Sequence, residues 1–186
     1  MNKIGVFFGT DTGNTRLIAK MMAKKLGDIT DGKPLNVNRI SREELLAFDC
    51  LILGTPTYGE GQLPGKSTKV MSGSWEEFLP QLKEGDLRGK MVALYGLGDQ
   101  DKYKERFVDG LYQLYDALKS LGAEFVGDWS TEGYTFEQSK AVIDGRFLGL
   151  VLDQLNQRLL TEERVDAWLE QILPVMQSFD KVEACA

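Results

Sequence analysis

Histidine is absent from the 186 residues. Its absence removes Ser-His-Asp and Cys-His catalysis, and with them most zinc and non-haem iron sites. Cysteine is scarce, with two residues: Cys50 opens an apolar run and reads as a small buried hydrophobe, and Cys185 lies near the end of the chain. Two isolated thiols make neither a disulfide framework nor a cluster site. Long apolar runs are missing too. The stretch Ile4 to Phe8 is too short for a signal peptide and ends in a polar turn, and nothing reaches the length of a membrane span. Positive charge is in deficit, 22 Lys and Arg against 28 Asp and Glu for a net charge of −6. That balance argues against nucleic acid or an anionic membrane surface as partner, and for basic proteins. There is no internal repeat and no low-complexity tract. The expectation is one soluble, cytoplasmic, monomeric domain over residues 1–177, followed by a tail over 178–186.

Against these absences, Ile4 to Thr15 carries the strongest signal. Ile4 to Gly9 fits a strand buried on both faces, and the hydroxyl-rich turn Thr10-Asp11-Thr12-Gly13-Asn14-Thr15 opens a helix. A strand feeding a helix through such a turn is a phosphate site. The helix start presents unpaired N–H groups and the positive end of its dipole, and Thr10, Thr12 and Thr15 add hydroxyl donors. Gly13 allows close backbone approach. The nucleotide-hydrolase loop does not fit, because no Lys follows Gly13. Nor does the three-glycine dinucleotide fingerprint, since Gly9 and Gly13 supply two of its glycines. The anion predicted is a monophosphate held by amides and hydroxyls.

Further along, Ile18, Met21, Met22 and Leu26 mark a helix stopped at Gly27, and Leu35 to Ile40 alternates as a strand. Ser41 with Glu44 predicts a capped short helix, Cys50 to Gly54 a third strand, and Ser74 with Glu77 a second capping box. Met91 to Tyr95 reads as a fourth strand, Phe107 to Leu121 as a helix stopped by Gly122, and Ala123 to Trp129 as a fifth strand. The polar and aromatic stretch Ser130 to Phe147 then intervenes before Leu148 to Leu152 reads as strand again. A loop of that length is uncommon in a compact domain, so it predicts an inserted lobe that splits the fifth strand. Its Trp129, Tyr134 and Phe136 suit either a satellite core or a partner surface. Thr161 caps the last helix. Alternating strands and helices predict a doubly wound α/β parallel sheet with helices on both faces. In such sheets the loops after strands one, three and four converge at the strand carboxyl ends.

Together these loops strongly resemble those of the flavodoxins, over essentially the whole chain. Thr10 to Thr15 is similar to that family's FMN phosphate loop. Thr55-Pro56-Thr57-Tyr58-Gly59-Glu60-Gly61 and Gly98-Asp99 through Tyr103 resemble its two isoalloxazine loops, and Asp153-Gln154-Leu155-Asn156-Gln157 its late signature. The insertion over 130–147 looks like that of the long-chain members, and Gly61-Gln62-Leu63-Pro64-Gly65 with Ser74-Trp75-Glu76-Glu77-Phe78 looks closest to the nitrogen-fixation class. The resemblance implies a five-stranded sheet of order 2-1-3-4-5 and non-covalently bound FMN. It also implies an electron-transfer protein rather than an enzyme. Its partners would be nitrogenase reductase, a pyruvate-flavodoxin oxidoreductase or an NADPH-flavodoxin reductase. The chain departs from the family at Tyr58 in the first ring loop, and at Lys104 and Asp101-Lys102, which make the second ring loop more charged than usual.

On that reading the cofactor-binding residues are Thr10, Asp11, Thr12, Gly13, Asn14, Thr15, Thr55, Pro56, Thr57, Tyr58, Gly59, Gly61, Leu97, Gly98, Asp99 and Tyr103. Tyr103 would stack on one face of the ring and Tyr58 on the other or its rim. Asp99 resembles the position that accepts the flavin N3–H, and Gly59 the hinge whose peptide turns toward N5. Like charge from Glu60, Asp99 and Asp101 would oppose the anionic hydroquinone. A unit charge at roughly 8 Å with an effective dielectric near 20 costs about 2 kcal/mol, somewhat under ~100 mV for one electron. The carrier would cycle mainly between semiquinone and hydroquinone. Two rivals share the topology. A quinone-reductase type of flavin enzyme would need an NADPH site, of which no loop is visible, and a receiver domain would need an Asp where Gly54 and Thr55 stand. A calcium loop at Asp99, Asp101 and Glu105 lacks the central glycine and the twelve-residue pattern.

Overall fold

The computed structural model describes residues 3–10, 13–30 and 32–179. Its sheet is built from β1 (Ile4–Phe8), β2 (Leu35–Asn36), β3 (Cys50–Pro56), β4 (Met91–Leu97), β5 (Glu124–Val126) and β9 (Leu150–Leu152). The order is β2-β1-β3-β4-β5 and every pairing is parallel. β5 lies beside Met91 to Ala93 of β4 and β9 beside Tyr95 to Leu97, so the fifth strand is split as the insertion predicts.

Side-chain alternation divides the core. Ile4, Val6 and Phe8 of β1, with Cys50 and Ile52 of β3, face α1 (Asn14–Leu26) and α5 (Thr161–Gln177). Phe7, Leu51 and Leu53 face α2 (Arg42–Leu46), α3 (Trp75–Phe78) and α4 (Asp109–Ser120). Helices therefore cover both faces, as a parallel sheet requires. Gly54 lies in β3 because the Tyr95 ring crosses it, and a Cβ there would sit 2.0 Å from the ring carbon that bears the hydroxyl. The Tyr95 hydroxyl donates to the Thr15 carbonyl at 3.0 Å, which ties β4 to the head of α1. Burial pushes that phenol well above its usual pKa, so the donor stays protonated.

Several local expectations are corrected. The strand read over Leu35 to Ile40 ends at Asn36, because the Asn36 side chain accepts the Asn38 N–H at 3.2 Å and turns Val37–Arg39 into a 3₁₀ turn. The strand read over Ala123 to Trp129 breaks after Val126. β6 (Trp129–Ser130) leaves the main sheet for a small antiparallel one with β7 (Val142–Ile143) and β8 (Arg146–Phe147), ordered β6-β8-β7. The helix read from Phe107 begins at Asp109. Thr161 is the first residue of α5 rather than its cap, and its hydroxyl accepts from the Gln154 side chain at 2.5 Å. At Ser74 the Glu77 carboxylate accepts the Ser74 N–H at 2.7 Å, while the Ser74 hydroxyl has no hydrogen-bond partner among the described residues. The Ser41 and Glu44 box forms, at 3.2 Å and 2.7 Å.

The inserted lobe packs against the domain. Phe107, Tyr134, Phe136 and Phe147 form one aromatic cluster, with ring centroids 5.2 to 6.1 Å apart. The Tyr134 hydroxyl donates to the Val151 carbonyl of β9 at 2.5 Å and accepts from the Trp129 ring N–H at 3.0 Å. Burial pushes its pKa up to about 12. Asp180 to Ala186, and Cys185 with them, lie outside the described residues.

Candidate cofactor-binding site

At the carboxyl ends of β1, β3 and β4, loops enclose a cleft of about 310 Å³. It is lined by Asn14 and Thr15, by Pro56, Thr57, Tyr58 and Gly59, and by Leu97, Gly98, Asp99 and Tyr103. These belong to all three of the loops that sequence reasoning singles out.

The floor is the head of α1. Gly13 precedes its first turn at φ +94°, and among the described residues no side chain caps that turn. Among the described residues, the hydroxyls of Thr10 and Thr15 are buried with no hydrogen-bond partner. A buried unpaired hydroxyl costs roughly 1–3 kcal/mol. Two of them beside the open N–H groups of a thirteen-residue helix have the donor chemistry of a phosphate cradle. The anchoring is local: the Asn36 side chain donates to the Thr10 carbonyl at 3.2 Å, and Tyr95 holds the Thr15 carbonyl. Asp11 and Thr12, also predicted here, lie outside the described residues.

The wall after β3 is a closed turn. The N–H of Tyr58 donates to the Gln62 carbonyl at 2.9 Å, and the N–H of Gln62 to the Tyr58 carbonyl at 2.7 Å. Gly59 and Glu60 form its exposed tip, with Gly59 at φ +51° in the left-handed region that favours glycine. α4 props this turn from behind: its Gly110 N–H donates to the Thr57 hydroxyl at 3.2 Å and the Gln113 side chain to the Gly61 carbonyl at 2.7 Å. Thr55 is fully buried and donates to the Pro56 carbonyl at 2.9 Å, so it and Gly61 support the wall without lining the cleft. The Tyr58 hydroxyl is likewise buried, with no hydrogen-bond partner among the described residues.

The opposite wall is the loop after β4. Asp99 Oδ1 accepts the N–H groups of Asp101 and Lys102 at 3.2 and 3.0 Å, which folds the loop back on itself. It also accepts from the Asn156 side chain at 3.0 Å. Tyr103 stands exposed at the rim, with the Lys102 ammonium 5.2 Å from its ring centre. Behind the loop, Asp153 is buried and accepts five hydrogen bonds of 2.8 to 3.1 Å, from Gln100, Leu155 and Asn156. Burial alone would push the Asp153 carboxyl up; the hydrogen bonds from Asn156 and Gln100 outweigh it and hold the group below the usual carboxylate range.

Sequence reasoning missed Lys102, Arg106, Val108, Gln154 and Leu155, which complete the lining. Gln154 and Leu155 lie in the late signature, whose position against the cleft depends on the return of the chain from the insertion. Val108 carries no sequence signal at all. It is buried at φ +52°, a left-handed conformation that costs a side-chain-bearing residue of order 1–2 kcal/mol. It is held there from both sides: the Phe107 carbonyl accepts the Ser139 hydroxyl at 2.5 Å, and the Asp109 carboxylate the Lys140 N–H at 2.8 Å. Among the described residues no cluster of acidic or sulfur side chains could hold a metal ion, and no helix is long and apolar enough to cross a membrane.

The family profile described as Flavodoxin matches residues 6–168. A flavodoxin of Klebsiella pneumoniae is 52% identical over 172 residues, covering 92% of this chain and 97% of that protein. Flavodoxin 1 of Escherichia coli strain K12 is 46% identical, covering 90% and 91%. Among solved structures, Fusobacterium nucleatum flavodoxin bound to flavin mononucleotide superimposes with a TM-score of 0.81 at 36% identity, covering 97% of this chain and all of the other.

Proposed function

Because this chain belongs to the flavodoxin family, we propose that it binds FMN in the cleft at the head of its sheet and carries single electrons. The observation that carries the reading is the pair of buried, unpartnered hydroxyls of Thr10 and Thr15 at the start of α1, beneath a cleft walled by two ring-sized loops.

The residues divide the work. Thr10, Thr15 and the first N–H groups of α1, with Asp11, Thr12, Gly13 and Asn14 of the same turn, hold the phosphate. Tyr103 covers one face of the ring and Tyr58 the other or its rim, while Asp99 and the backbone of residues 55–61 and 97–99 meet its polar edge. Bound FMN supplies the redox chemistry, and the protein sets its energy. Gly59 at the exposed tip lets the 59–60 peptide turn toward the ring, where a new neutral hydrogen bond contributes about 0.5–1.5 kcal/mol net.

The finer reading is a low-potential donor that works mainly between the one-electron-reduced and fully reduced flavin. A chain of net charge −6 favours basic partners, and complementary charge acts on encounter rate and orientation more than on affinity. The nitrogen-fixation likeness points to nitrogenase reductase as acceptor, with a pyruvate-flavodoxin oxidoreductase or an NADPH-flavodoxin reductase as electron source, all in the cytoplasm and with this chain as a monomer. The test is reconstitution followed by stopped-flow reduction of purified nitrogenase reductase across ionic strength. A transfer rate that falls steeply with salt supports the reading; no transfer, or a rate indifferent to salt, counts against it.

A further inference from the structure

Two members of the acidic rim anticipated around the ring, Glu60 and Asp99, are engaged by other groups. Asp99 spends one carboxylate oxygen on three hydrogen bonds, and the Glu60 carboxylate at the tip of the first wall is paired with the Arg106 guanidinium. Arg106 belongs to the other wall. Its backbone N–H donates to the Tyr103 carbonyl at 3.1 Å, and it lines the same cleft as Gly59, Tyr58 and Tyr103. The ion pair thus spans from one ring loop to the other across the mouth. A second cavity, of about 330 Å³, is bounded by the same two residues with Gly59, Lys102 and Lys104. The neighbouring Lys104 is committed elsewhere, to Glu137 at 2.5 Å.

We propose that Arg106 is a positioning residue for electron transfer: clamped by Glu60, it straps the two ring loops together and holds a fixed positive charge at the cleft. The inference rests on the FMN reading given above. Glu60 alone at this tip would disfavour the anionic, fully reduced ring. With Arg106 paired at the mouth, the charge of Glu60 is offset, and the second electron is accepted more readily than the acidic composition of the chain implies. Arginine suits the place because its planar fork stays charged and holds a carboxylate in one geometry. The Glu60 side chain is 80% exposed and that of Arg106 35%, so salt weakens the clamp and with it the effect.

The test is a spectroelectrochemical titration of the FMN-loaded protein. Arg106→Gln is expected to lower the equilibrium constant for uptake of the second electron about tenfold, ~59 mV for one electron. Arg106→Lys, which keeps the charge, is expected to stay within about threefold of wild type. In a Glu60→Gln background the Arg106→Gln change should lower the constant by less than about threefold, because an unclamped guanidinium swings into solvent. Release of oxidised FMN should be several-fold faster in both single neutral variants. Equal effects of Arg106→Gln in the two backgrounds, an Arg106→Lys variant that behaves as Arg106→Gln, or potentials that ignore Arg106 would overturn the inference while leaving the FMN reading intact. A wild-type protein that takes up no FMN would overturn both.

Discussion

Asp153 accepts both the backbone N–H and the side-chain amide of Gln100 on one carboxylate oxygen, each at 3.0 Å. The Gln100 side-chain oxygen Oε1 in turn accepts the Thr135 N–H at 2.6 Å. Three segments far apart in sequence, the ring loop after β4, the late turn after β9 and the inserted lobe, are thereby fixed to one buried carboxylate. The precision of the second wall depends on that relay.

Removing the carboxylate should loosen the wall. Asp153→Ala leaves the Gln100 and Asn156 donors without their partner and is expected to cost about 2–4 kcal/mol in urea unfolding, with weaker FMN binding. The pH dependence follows from the lowered pKa of Asp153 in the folded state. Its contribution is complete above the unfolded carboxyl pKa of about 3.9 and is lost as pH falls through the lower folded value. Wild type and Asp153→Asn should therefore differ most at neutral pH and converge in acid. A difference that grew on acidification would contradict this.

The hydroxyls of Thr10 and Thr15 predict opposite effects on stability and binding. Thr15→Val keeps the shape and deletes a buried unpartnered oxygen. The flavin-free protein should be unchanged or slightly more stable in urea, while FMN affinity falls roughly tenfold to a hundredfold for the loss of a charge-assisted hydrogen bond. Calorimetry showing undiminished affinity would remove Thr15 from the phosphate cradle.

At the tip of the first wall, Gly59→Ala places a Cβ at φ +51° and 2.4 Å from the Gln62 side-chain oxygen. The left-handed strain is of order 1–2 kcal/mol. The fraction of protein that accumulates in the one-electron state during reductive titration should drop, because the 59–60 peptide turns less freely. An unaltered fraction would assign the hinge elsewhere.

For the inserted lobe the prediction is structural. Tyr134→Phe deletes the bond to Val151 and strands the Trp129 ring N–H. A loss of about 1–3 kcal/mol of unfolding free energy is expected, with the potentials of bound FMN unmoved. A shift in potential at unchanged stability would instead give the lobe a direct part in the site.

Much of this architecture is legible along the chain because its signals are local. The Thr10 to Thr15 turn announces itself through composition, and the apolar run Ile4 to Gly9 before it reads as a strand buried on both faces. What stays hidden is set by particular side-chain contacts, some within a few residues and some across long stretches of sequence. β2 ends early because one asparagine side chain captures a backbone N–H two residues on. Trp129 leaves the fifth strand because its ring N–H reaches Tyr134 in the lobe. Arg106 reads as an ordinary loop cation until Glu60, from another loop, closes on it. Val108 is held in its strained backbone by Ser139 and Lys140 of the insertion, which local propensity does not register.

The central claim is that three loops at one end of the sheet hold a single monophosphorylated flavin and pass its electrons one at a time. Anaerobic titration of the FMN-reconstituted protein with dithionite, followed by visible absorbance, tests it most directly. The account predicts stoichiometric uptake of FMN, a long-wavelength band that rises over the first electron, and bleaching over the second. Protein that refuses FMN, or flavin that bleaches in one two-electron step with no intermediate band, would contradict it.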